Sequence, residues 1–342
     1  MALRQPYRGP KWIAILLYVA LAAMVGFGLF AAAGLSGPGR APAAASSAPP
    51  AAQGGTWLAL ASMGEPRQEI GVAEVGGVVY VAGGFRGDTA PTGTTEAYDI
   101  ARDSWRFVAP LPEALHHPGA AALYGKVYVV GGYDASGAVD SLWEYDPGAD
   151  RWQRRASLPT ARGALAAVAL DGRLYAIGGD RGRPVGELAA YDPQADAWET
   201  LPAMRHGRDH LAAGVVNGRI YIAGGRNGRD FAMTVLEEYD PATRTWTERA
   251  AMLTGRSGIA GAGVGARFYV FGGEGNRGHP QGIFDAVEAY DPAQNAWTRL
   301  APMRTPRHGI NAAVVGTRVY LPGGATVEGF GVTTANEAFD PS

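Results

Sequence analysis

Residues 56–342 are predicted to form an all-β domain, a six-bladed β-propeller, on three observations. Gly-Gly doublets begin at 83, 131, 178, 224, 272 and 323, spaced by 48, 47, 46, 48 and 51 residues. Tryptophans at 57, 105, 152, 198, 246 and 297 keep the same five spacings, and each precedes the next doublet by 26 residues. The chain's 50 glycines and 23 prolines accompany a hydrophobic content of 47%, a composition that suits many tight turns between short buried strands. Units of this length that each read as four strands are propeller blades.

Each unit reads in the same order. The first strand is small and apolar, as in GAAALY at 119–124 and AAVAL at 166–170, and a tight turn such as Asn217-Gly218 or Asp171-Gly172 ends it. The second alternates into the doublet, as in KVYVVGG at 126–132 and RIYIAGG at 219–225. A loop of variable length leads to a third strand that ends in Tyr-Asp, and a short turn leads to a fourth that carries the tryptophan. Glycine and alanine in the first strands suit the crowded axis of the ring. Trp and Tyr are expected to fill the wider space between the outer parts of neighbouring blades.

The doublet, the spaced tyrosine and the tryptophan resemble the signature of the kelch-repeat family over residues 56–342. The last unit departs from it, because it reads Phe339-Asp340-Pro341-Ser342 and has no tryptophan strand of its own. The missing strand lies at the other end, in TWLAL around Trp57. The resemblance implies that this N-terminal strand closes the ring as the outermost strand of blade 6, leaving no long exposed edge.

The domain is preceded by a different kind of sequence. Residues 13–35 run without a charge behind Arg4, Arg8 and Lys11, which predicts one transmembrane helix that acts as a signal anchor. A cleaved signal peptide is the rival reading, with Ala31-Ala32-Ala33 as its cleavage-site mimic. Residues 1–12 are then a cytoplasmic tail and residues 36–55, rich in Ala, Pro, Ser and Gly, a flexible tether. The propeller is expected outside the cytoplasm. A net charge of −2 argues against nucleic acid as a partner. With no cysteine in the chain, disulfides, thiolate metal sites and the tyrosine–cysteine copper cofactor of some kelch-fold oxidases are excluded.

Length variation between the units is confined to the loop after the doublet. From its second glycine to the Tyr near the end of the third strand, or to Phe339, is 14, 13, 12, 14, 17 and 15 residues. Variable loops on a rigid scaffold are where binding usually resides. The same face carries Arg67, Arg162, Arg208, Arg256 and Arg307, each 16 residues before a doublet, where blade 2 instead has Leu115 followed by His116 and His117. Together with Glu69, Asp209, His210 and His308, these are the candidate ligand-binding residues, since guanidinium groups and imidazoles at a channel mouth suit an anion. The arginines also admit a structural reading, as interstrand partners of Glu96, Glu237, Glu288 and Glu337. Glu74 is read as a channel carboxylate or a solvated turn residue. The pair His206 and His210 has metal-like composition, but i,i+4 spacing gathers ligands on a helix and this is a loop. No metal, cofactor or catalytic set is therefore expected.

Two functions remain. One is a membrane-tethered binding module that presents its loop face to a protein or glycan. The other, implied by resemblance to the periplasmic kelch-type sialic acid mutarotases, is a cofactor-free sugar isomerase with Glu69 or Asp209 beside an arginine. The absence of a catalytic constellation favours the binding module.

Overall fold

The computed structural model describes residues 54–342, so the predicted tail, spanning helix and most of the tether lie outside the described residues. Within 54–342 no helix is long and apolar enough to cross a membrane. Six four-stranded antiparallel sheets are present. In blade 1 the strands are Gly71–Val75, Val78–Ala82, Thr95–Asp99 and Ser104–Val108, running from the axis outwards. The expected I′-type turns follow the inner strands, with Asn217 and Gly218 at φ 50° and 72°.

Blade 6 is completed from the other end of the domain. Thr56–Ala59 pairs with Asn336–Asp340, and Trp57 lies opposite Phe339 in register. The Trp57 ring packs against Phe339 and Phe271, with centroids 5.0 and 6.1 Å away. The reading of a ring closed around Trp57 thus matches the observed topology.

The core is six apolar clusters, each shared by two neighbouring blades. Every repeat tryptophan packs at a tilt against an aromatic and donates its indole N–H to the connector entering the blade. Trp105, for example, lies 5.0 Å from Tyr98 and donates to the Ala61 carbonyl at 2.8 Å. An aspartate seals the same joint, as Asp103 accepts both the Tyr98 hydroxyl at 2.5 Å and the Ala61 N–H at 2.8 Å. Asp150, Asp196 and Asn295 repeat this latch. Blade 4 breaks it, because Arg244 takes the acidic position, Pro202 has no N–H to give, and the Tyr239 hydroxyl is left without a partner.

The small residues of the inner strands are needed for closure. A Cβ on Gly263 would lie 1.9 Å from the Val215 carbonyl oxygen of the neighbouring blade. The inner strands enclose an axial cavity of about 380 Å³ lined largely by alanine and glycine. Glu74 stands at its far end, where its carboxylate accepts the Gly77 N–H at 2.6 Å, the turn-capping role.

Candidate functional site

At the loop-rich end of the axis the six connectors build a closed floor. Glu69, His117, Ala164, His210, Gly258 and Gly309 hold equivalent positions, all with φ between 52° and 64°. Each N–H donates to the carbonyl of the preceding member, at 2.8–3.0 Å, and the last link runs from Glu69 back to Gly309. Left-handed backbone suits the two glycines and costs roughly 1–2 kcal/mol at each of the others. Gly309 also leaves room for a neighbour, since a Cβ there would lie 2.7 Å from Glu69 Oε1.

A second ring surrounds the floor, one residue earlier in each connector: Gln68, His116, Gly163, Asp209, Ser257 and His308. Each bridges to the residue just after its doublet, Phe85, Tyr133, Asp180, Arg226, Glu274 or Ala325. The result is a funnel with two unlike walls. Blades 1, 2 and 6 supply aromatics: His116 stacks on Phe85 at 3.9 Å and on Tyr133 at 5.2 Å, and Phe85 meets Phe330 edge-on at 5.5 Å. Blades 4 and 5 supply charge. Arg226 donates to Asp209 and Glu274, both at 2.9 Å, and to His210 Nε2 at 3.1 Å.

The floor holds a cavity of about 30 Å³, room for a water or a small ion. Glu69, His117 and His210 turn into it, with ligand atoms within 4.8 Å of one another. His117 Nε2 lies 3.3 Å from Glu69 Oε2, and His117 Nδ1 lies 2.5 Å from His116 Nδ1. Burial, followed by the neighbouring His210, His116, Arg226 and His308, holds the His117 imidazolium well below its ordinary range. Burial and His210 push His116 down to about 4. Burial raises Asp209, but the hydrogen bonds and charges of His210 and Arg226 outweigh it and the carboxyl is lowered.

Of the residues singled out in the sequence, Glu69, His116, His117, Asp209, His210 and His308 converge here. The five arginines do not. Arg67, Arg162, Arg208, Arg256 and Arg307 are fully buried and pair with Glu96, Glu187, Glu237, Glu288 and Glu337. Each also donates to backbone carbonyls, as Arg307 Nη1 shows at Leu321 and Gly323, at 2.9 and 2.8 Å, while Nε of Arg67, Arg162, Arg208 and Arg256 has no partner. The reading of these five as ligand contacts is corrected: each is an internal clamp, held in four blades by a desolvated ion pair and in blade 3 by the partly exposed Glu187. His206 faces Glu248 at 3.4 Å on the periphery, and His279 accepts the Gln281 N–H within its own loop. Sequence reasoning missed Phe85, Tyr133, Arg226 and Glu274. Their signal is the position just after the doublet, which differs in all six blades while the doublet itself is invariant.

Repeat, sheet order and closure together define a six-bladed kelch β-propeller, and a kelch-motif profile matches residues 66–112. The profile of the Attractin/LZTR1 β-propeller family matches residues 127–341, and the chain belongs to that family. It is similar to Kelch-like protein 15 of Gallus gallus, 48% identical over 58 residues, or 17% of this chain and 12% of that protein. Kelch-like protein terF of Aspergillus terreus is 37% identical over 65 residues, 19% of this chain and 14% of the relative. The chain thus spans only a small part of these relatives' length. Among solved structures, that titled "Structure of YjhT" superposes with a TM-score of 0.67 at 16% identity, covering 81% of this chain and 96% of the other. At that identity the likeness is one of fold.

Proposed function

We propose that this protein is a membrane-tethered, extracytoplasmic interaction module that offers the loop face of its propeller to a protein partner. The observation that carries the reading is the rim of the funnel. Phe231, Val327 and Phe330, on loops of blades 4 and 6, are 42, 42 and 52% exposed, and exposed aromatics around a polar centre are the anchors of protein interfaces. Shallow grooves of about 610 and 390 Å³ open beside blades 2–3 and 1–6. The floor cavity of about 30 Å³ is far smaller than a pocket that encloses a sugar, which weighs against the isomerase. A glycan remains the second ligand class, stacked on the Phe85–His116–Tyr133 wall. The tether rests on the uncharged run 13–35 behind Arg4, Arg8 and Lys11.

A phage-displayed peptide library and a glycan array, each applied to wild type and to Phe231→Ser/Phe330→Ser, test the partner. Peptides that enrich on wild type and bind the double variant at least tenfold more weakly support the reading. Failure to enrich, binding indifferent to the substitutions, or binding of glycans alone would refute it. The tether is tested with a C-terminal alkaline phosphatase fusion, expected active in the membrane fraction, and soluble and inactive when residues 13–35, which also direct export, are deleted. An inactive fusion of the full chain refutes that part.

A further inference from the structure

We propose that Glu69, His117 and His210 hold one divalent transition-metal ion at the floor of the funnel, with a further coordination position open to the loop face. The site goes beyond the protein-binding reading and does not depend on it. Two imidazoles and one carboxylate, their ligand atoms within 4.8 Å of one another, form the donor set of open zinc-type centres. The side chains are largely buried, with 11% of Glu69, 14% of His117 and 8% of His210 exposed.

Hydrogen bonds around the histidines leave suitable lone pairs. Asp209 Oδ1 lies 2.5 Å from His210 Nδ1 and takes that hydrogen, so Nε2 keeps the lone pair, to which Arg226 Nη2 donates. A carboxylate behind a ligating imidazole is the usual outer-sphere partner of a metal-bound histidine. His116 holds the equivalent place behind His117, with the two Nδ1 atoms 2.5 Å apart, while His117 Nε2 faces Glu69.

An independent observation is a second buried polar group aimed at the site. His308 is 1% exposed, and its Nε2 lies 2.8 Å from the Val327 carbonyl, which only accepts, so Nε2 carries the hydrogen. Its Nδ1, which has no hydrogen-bond partner, is aimed at the same place, with Glu274 Oε2 at 3.4 Å and Glu69 Oε1 at 3.9 Å. Arg226 stands between Asp209 and Glu274, whereas Glu69 faces only the imidazoles of His117 and His308. Arg226 competes for the same place, since its Nη2 occupies His210 Nε2 at 3.1 Å, and it swings aside when the ion enters.

The experiment titrates Zn²⁺, and separately Co²⁺, into the full-length chain after chelator treatment and dialysis, by calorimetry and visible absorption. One ion per chain is expected, with cobalt bands of a low-coordinate nitrogen–oxygen site. His117→Ala and His210→Ala each weaken binding at least tenfold, and Glu69→Gln does so without changing side-chain size. Arg226→Gln tightens it, and His206→Ala, on the periphery, leaves it unchanged. Circular dichroism of each variant separates loss of a ligand from loss of fold. No saturable binding in the micromolar range, or binding that survives both His117→Ala and His210→Ala in folded protein, overturns the proposal.

Discussion

The buried arginine clamps make the sharpest stability prediction, and blade 5 is the cleanest case. Arg256 donates to Glu288 at 2.8 Å, to the Thr254 carbonyl at 2.9 Å and to the Val270 carbonyl at 3.2 Å. Both members of the pair are fully buried, and burial lowers the Arg256 guanidinium while Glu288 opposes it. Arg256→Leu leaves an uncompensated carboxylate whose remaining donor is the Leu253 N–H at 3.1 Å, together with two carbonyls that lose a partner. Breaking such a pair from one side costs about 3–5 kcal/mol. For a domain of roughly 290 residues, the unfolding entropy converts this into a fall of roughly 5–8 °C in Tm. The double variant Arg256→Leu/Glu288→Leu is expected to recover at least half of the loss, because removing both charges also removes the desolvation penalty. Blade 2 is the natural precedent, with Leu115 and Trp143 at the two positions and Leu115 fully buried. Thermal melting followed by circular dichroism reads all three proteins. A single variant that loses less than about 1 kcal/mol, or a double variant no more stable than the single, would refute the argument that pairing rather than packing sustains this position.

Three further outcomes follow from particular contacts. Arg244→Asp gives the orphaned Tyr239 hydroxyl an acceptor worth about 1 kcal/mol and removes only an exposed pair with Glu199, so melting is expected about 1–2 °C higher; adding Pro202→Ala restores the latch N–H and should raise it again. The Tyr98 hydroxyl and Ala61 N–H hold Asp103 below the usual carboxylate range, the Tyr145 hydroxyl and Ala109 N–H do so for Asp150, and the Ala156 N–H and Tyr191 hydroxyl for Asp196. Depressed folded values mean that these latches stabilise above the unfolded pKa near 4 and fail as pH falls through the folded values; Tm should drop below about pH 4, and less steeply in Asp103→Asn/Asp150→Asn/Asp196→Asn, which copies the natural Asn295. Gly309→Ala, at φ 59° with its new Cβ 2.7 Å from Glu69 Oε1, should lower Tm by about 2–3 °C and weaken zinc binding; an unchanged titration would mean that Glu69 does not position the ion.

The fold was legible because each blade is a local object. Its four strands pair in sequence order, so period, doublet and turn chemistry report it directly, and Phe339 without a following tryptophan announced the closure at Trp57. The site was only half legible. Glu69, His116, His117, Asp209, His210 and His308 stand out as polar residues in the connectors, but their contacts join different blades, as in the 48-residue separation of Arg226 and Glu274. Judging His206 and His210 by local spacing therefore kept His210 apart from Glu69 and His117, its neighbours at the axis. On a ring, proximity at the axis follows from equivalent position in the repeat, whatever the separation along the chain. The arginines misled in the opposite direction, because their regular placement at the mouth resembles a ligand-binding array until burial shows what they hold.

A scaffold that repeats its backbone six times must vary its side chains to distinguish one direction from another. The floor ring shows where that variation lies: six equivalent left-handed positions, two filled by glycine, one by alanine, and three by side chains able to bind a cation. Glycine at all six would relieve backbone strain at no cost to the ring of hydrogen bonds, which uses main-chain atoms only. The arginine clamps one turn away are near-uniform and serve closure; the floor is uneven, as are the residues after the doublets. Unevenness at the axis, built on uniformity around it, separates the residues that hold this propeller together from those that give its loop face a chemistry of its own.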